Sequence, residues 1–147
     1  MEPHELARGD GDGLLSGPTP DSTCEGTTIV THQSSTGIST EMQQCIDECT
    51  RCHNVCLATL SHCLELGGKH ADPAHIGVLL DCADICRTSA DFMLRGSERH
   101  QLTCRVCADI CRACAESCER MGKGDEMMQQ CAEECRRCQG SCERMAA

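Results

Sequence analysis

Sixteen of the seventeen cysteines in this chain recur at three- and four-residue steps, with one step of seven, in four separate runs. Cys45, Cys49, Cys52, Cys56 and Cys63 form the first, and Cys82 and Cys86 the second. Cys104, Cys107, Cys111, Cys114 and Cys118 form the third; Cys131, Cys135, Cys138 and Cys142 the fourth. A 3-4 alternation keeps one residue type on one face of a helix, the seam that packs against partner helices. Here the seam carries sulfur where leucine would be expected. Thiolates select soft cations, so the chemistry to consider first is the holding of soft metal ions. Residues one helical turn apart lie ~5–6 Å apart at Cβ, close enough for two thiolates to grip one ion. Cu(I) suits such a row, because two or three sulfurs satisfy it and a bridging sulfur serves the next ion along. Zinc usually takes four ligands in a tetrahedron, which a straight row of helical pairs supplies less readily.

Four helices must position these runs. Ser39 or Thr40 opens the first, with Glu41 and Gln43 in its opening turn, and Gly67-Gly68 stops it. Pro73 in a first-turn position opens the second, which runs to about Arg95 and ends at Gly96. Ser97 is placed to cap the third, which stops at Gly122. Asp125 is placed to cap the fourth, which runs almost to the C-terminus. No segment alternates with period two between turn signals, so no strand is expected. The short connections make neighbouring helices antiparallel, and the expected fold is all-α: an up-down-up-down four-helix bundle with a cysteine-lined core. Residues 1–39, rich in Gly, Ser, Thr, Asp and Pro, read as a flexible tail, with residues 40–147 as the bundle. Cys24 lies in that tail, off any stripe, and reads as an incidental thiol.

Composition narrows the class. The chain has no tryptophan or tyrosine and one phenylalanine, so the thiols themselves must supply much of the apolar filling. The cysteine count is odd, and the start (Met1-Glu2-Pro3-His4-Glu5) shows no basic and apolar export pattern. Neighbouring cysteines on one helix face suit a shared metal better than unstrained disulfides. A reduced, cytoplasmic chain is the expectation. A formal net charge of −10, from 23 acidic and 13 basic residues, argues against nucleic acid as a partner. No apolar run approaches the ~20 residues needed to span a bilayer.

Extending each seam past its cysteines distinguishes the two ends of the bundle. Antiparallel packing gathers Met42, Met93, His100 and Met145 at one end, one soft ligand from each helix. That ring reads as a metal entrance, where thioether and imidazole bind Cu(I) weakly and pass it inward to thiolates. The other end gathers Leu66, His75, Leu79, Met121 and Met128 and reads as an apolar plug. His53, His62 and His70 fall off the seam or in a loop, and His4 and His32 fall in the tail; none is expected as a ligand.

Other chemistries fit less well. An iron–sulfur carrier normally holds its cluster with a compact loop of cysteines, often followed by proline, and no Cys-Pro occurs here. A redox Cys-x-x-Cys enzyme needs one reactive pair in a βαβ context, which is absent. Zinc storage or buffering would use the same thiolates and remains the alternative. A purely structural cysteine core would expose the cell to thiol oxidation with no packing gain over leucine. No nucleophile–base set, phosphate loop or His-Glu-x-x-His motif points to an enzyme.

The runs Cys45-x3-Cys49-x2-Cys52-His53-x2-Cys56 and Cys104-x2-Cys107-x3-Cys111-x2-Cys114-x3-Cys118 resemble those of the bacterial four-helix-bundle copper storage proteins, over roughly residues 40–145. Lacking an export signal, the chain is similar to the cytosolic branch. The resemblance implies many Cu(I) ions per chain, the sixteen seam cysteines as ligands, and Met42, Met93, His100 and Met145 near an open end. It also implies a homotetramer, storage or detoxification of copper, and exchange with a copper chaperone or small thiol chelator. Two features depart from the pattern: the second helix has only two cysteines, with Ser89 on the seam, and the resemblance assigns no role to the tail.

Overall fold

The structure is a computed structural model, and it describes residues 37–147. Expectations placed on residues 1–36, Cys24 and the tail histidines included, lie outside the described residues. Four helices follow one another: α1 (Thr40–Leu66), α2 (Pro73–Leu94), α3 (His100–Met121) and α4 (Glu126–Met145), with a 3-10 turn at Gly68–Ala71. There is no strand among the described residues. Each helix packs on its chain neighbours and α1 closes against α4, which is the up-down-up-down bundle the short connections require.

The helix ends follow from local chemistry. Ser39 Oγ accepts from the Met42 amide (3.1 Å) and starts α1. At the other end Gly67, at φ 67°, takes a backbone conformation that a side chain disfavours, and its N–H bonds the Cys63 carbonyl. Asp72 accepts from the amides of Ala74 and His75 while Pro73 fills the first turn of α2. Asp125 accepts from the Met128 amide (3.0 Å) and starts α4.

Ser97 serves both helices it lies between. Its N–H bonds the Phe92 carbonyl (2.9 Å) after Gly96 at φ 64° and finishes α2. Its Oγ accepts from the Arg99 amide (3.3 Å) and its carbonyl from the His100 amide (3.1 Å), so it also caps the turn that leads into α3, whose regular helix begins at His100.

The sixteen seam cysteines are free and buried. They are joined inside by few large side chains: Ile46, Leu79, Met93 and Met128. Buried Ala83, Ala108, Ala115 and Ala132 each follow a seam cysteine directly and line the helix–helix contacts. Small residues there let the helices approach closely enough for sulfur atoms to meet across the axis.

Candidate metal centre

The thiols form one continuous column. Five groups hold their sulfur atoms within 4.8 Å of one another: Cys45/104/142, Cys49/107/138/142, Cys52/86/111/138, Cys52/56/82/135 and Cys56/114/131/135. Successive groups share Cys142, Cys138, Cys52 and the pair Cys56 and Cys135, so no group is isolated. Cross-helix contacts are close: Cys49 to Cys142 at 3.5 Å, Cys86 to Cys111 at 3.6 Å and Cys52 to Cys135 at 3.7 Å. These distances far exceed an S–S bond of ~2.05 Å. Four-thiol sets therefore do form, across helices rather than along one. Tetrahedral sets, which a single helical row supplies less readily, are thus available in this core. What favours Cu(I) is the sharing of thiols between adjacent groups, because low coordination with bridging sulfur fills such a column more densely than separate tetrahedra would.

Protons are unevenly held along the column. Cys52, Cys82 and Cys107 are lowered, chiefly by hydrogen bonding from Cys111, which stabilises their thiolates. Cys86 and Cys111 are raised, chiefly through Cys107, with burial opposing any charge. Cys135 is raised through Cys114, and Cys142 through Cys104. Beside Met93 at one end of the column, Cys104 is pushed up to about 12: Cys142 pulls it down, but contact with Cys45, burial and nearby charge outweigh that pull. Some thiols thus ionise at the expense of their neighbours, and a cation that supplies positive charge must displace protons to bind.

One end, which we term the near end, joins the start of α1, the end of α2, the start of α3 and the end of α4. Met93 is fully buried there with its Sδ 4.0 Å from Cys104 Sγ. Met42 and His100 line an open groove of about 500 Å³ with Ile38, Leu94, Gly96 and Ser97. His100 Nδ1 donates to the Ser97 carbonyl (2.8 Å), which leaves the Nε2 lone pair free for a cation. Met145 is half-buried against the core. The four expected entrance residues therefore share one end of the bundle.

The far end differs from the expected apolar plug. Leu79 and Met128 are fully buried and Met121 half-buried, but Leu66 is 51 % exposed because α1 finishes there. His75, counted in the plug on sequence grounds, is a buried polar group: its Nε2 lies 3.6 Å from Cys63 Sγ and its Nδ1 2.8 Å from Ser117 Oγ. The signal was in the sequence, since His75 stands on the α2 seam seven residues before Cys82. What was missing was its partner across the bundle. The off-seam histidines serve elsewhere: His53 Nδ1 donates to the Ala83 carbonyl (2.8 Å), and His62 pairs with Asp125 (2.8 Å).

Residues 38–147 match the family model described as copper storage protein. The chain belongs to the copper storage protein family. Solved structures agree with that membership. The Nmul_A1745 protein of Nitrosospira multiformis is 45 % identical, with 72 % of this chain and 94 % of that one covered at a TM-score of 0.68. BsCsp3, a Bacillus subtilis copper storage protein in its Cu(I)-bound form, is 35 % identical, with 73 % and 99 % covered at 0.66. A cytosolic copper storage protein of Streptomyces lividans carrying five coppers is 30 % identical, with 72 % and 92 % covered at 0.63. No curated protein matches the chain.

Proposed function

We propose that this chain stores Cu(I), holding many ions along the bundle axis through the sixteen seam cysteines. The observation that carries this reading is the column itself: five thiol groups linked by shared sulfur atoms, buried throughout. Family membership and the copper-loaded relatives support it. Metal is captured at the near end by Met42, Met93, His100 and Met145 and moves inward by ligand exchange, starting at Cys45, Cys104 and Cys142. Buried thiols exchange protons for copper as they load. No catalytic step is part of the proposal.

The storage role resides in residues 40–147, with Cys24 read as an incidental thiol. A reducing compartment such as the cytosol fits sixteen free thiols. Among the described residues no helix is long and apolar enough to cross a membrane. A homotetramer, and exchange with a copper chaperone or a small thiol chelator, belong to the same proposal through the family.

The test is an anaerobic titration of the reduced apoprotein with Cu(I) against a competing Cu(I) chelator, repeated with Zn²⁺. Uptake on the order of one copper per seam cysteine, in preference to the chelator, supports storage. Saturation after a few ions, or tighter retention of zinc than of copper, makes the protein a metal carrier or a zinc buffer instead.

A further inference from the structure

Cys63 stands apart from the other seam thiols. The step from Cys56 is seven residues, with Thr59 in the seam between them. Neither Cys63 nor Cys118 belongs to any of the five thiol groups, and the one hydrogen-bonding partner of Cys63 Sγ among the described residues is His75 Nε2. That imidazole is only 2 % exposed, which is unusual for a histidine with no carboxylate partner. Its second nitrogen meets Ser117 Oγ at 2.8 Å, and Ser117 is itself buried.

We propose that Cys63 and His75 bind a Cu(I) ion of their own, a mixed thiolate–imidazole site that terminates the thiol column at the far end of the bundle. The inference rests on the storage reading. Three observations converge on it. First, a ring nitrogen and a sulfur face each other at 3.6 Å. Thiolate and imidazole bonds to a metal sum to ~4.3 Å, so an ion held by both bends off the line between them and is open to a third donor. Along the α1 seam the next thiol inward is Cys56, a member of the last group of the column.

Second, the Ser117 contact has the form found behind metal-bound histidines, where an outer partner fixes the ring and leaves the inner nitrogen free. With Nδ1–H donating to Ser117 Oγ, the Nε2 lone pair points at Cys63. Ser117 is a positioning residue in this arrangement.

Third, Thr59 is fully buried with no partner for its Oγ1 among the described residues. It lies one helical turn from Cys63 on the same seam. A buried hydroxyl without a partner is costly in the metal-free protein. A metal-bound Cys63 thiolate, a stronger acceptor than the thiol, would draw that hydroxyl toward it by rotation of the Thr59 side chain. Solvent reaches this region through a groove of about 510 Å³ lined by Asp72, His75, Val78, Ser117, Arg120 and Met121.

The experiment follows the imidazole nitrogens of the reduced full-length chain, labelled with ¹⁵N-histidine, during anaerobic Cu(I) titration; His75→Gln assigns the signals. The site predicts that His75 Nε2 moves to a metal-bound shift as loading proceeds, while Nδ1 stays protonated. His75→Gln then loads about one copper per chain fewer. Ser117→Ala keeps the thiol column but shows mixed ring tautomers and a weaker Nε2 shift. Full loading with both His75 nitrogens unmoved overturns the site and leaves the storage reading standing. Absence of copper uptake overturns both. The wild-type measurement decides the matter even where His75→Gln fails to fold.

Discussion

The two ends of the bundle are made from the same four helices and the same seam, yet they finish it with opposite chemistry. At the near end the sulfur column runs into thioethers and the half-buried imidazole of His100 beside an open groove. At the far end it runs into a buried imidazole, two buried hydroxyl residues and a tight turn, beside a groove of similar size. A Cβ built on Gly122 would collide with Met128 Cβ and sit 2.8 Å from the Cys118 carbonyl, and Asp125 both caps α4 and pairs with His62. The contrast teaches that a continuous seam does not make a symmetric column: thioethers finish it at one end, and an imidazole held by a serine hydroxyl finishes it at the other.

Four measurements break or sharpen that contrast. The largest effect is on pH. The raised thiols of the column, Cys86, Cys111, Cys135 and Cys142 among them, must lose protons to bind, so affinity falls as pH falls. Each displaced proton is worth about tenfold per pH unit, or roughly a hundredfold between about pH 7.5 and 5.5. Thioether capture at Met42 and Met93 needs no proton loss. Chelator competition at the two pH values separates the steps, and an identical loading curve at both sinks the thiolate mechanism.

Next, Gly122→Ala is expected to cost about 1–3 kcal/mol in chemical denaturation, because the new methyl group meets the Met128 side chain and a backbone carbonyl that cannot both yield. A neutral result means the far-end turn is looser than its contacts indicate.

Replacing Met42 and Met93 by leucine together with His100→Gln is expected to slow loading roughly tenfold, about 1.4 kcal/mol of barrier, while capacity is kept. Stopped-flow loading that matches wild type would move the entrance away from the near end.

The smallest effect is at the far-end cap. Asp125→Ala is expected to lose about 1 kcal/mol. The Asp125 carboxyl is held below its ordinary value by the hydrogen bond from His62 and then by the Met128 amide. A carboxyl lowered on folding stabilises fully above its unfolded value, and that contribution fades as pH falls through the folded one. The gap between variant and wild type therefore closes in acid, and a gap that widens there contradicts the assignment.

Much of this was legible in the chain. Gly67, Pro73 and Asp125 act locally, so the ends they set emerge where the residue types place them. Ser97 was legible in part: its Oγ takes the Arg99 amide at the turn into α3, as a capping serine does. Its second role, finishing α2, depends on its N–H reaching the Phe92 carbonyl. Leu66 misled because seam periodicity says which face a residue occupies but not whether a neighbouring helix extends far enough to cover it.

Sequence by itself determined the sulfur seam, the four helices and the residues gathered at each end, because helical periodicity and short loops are local constraints. Only the tertiary structure decided which thiols meet as groups of four, that they share members, and that His75 faces Cys63 while Ser117 holds its other nitrogen. Those contacts join residues from different helices at 2.8–3.9 Å. At that range, sub-ångström differences in helix rotation and stagger decide which atoms touch, and spacing along a single helix carries no information about either.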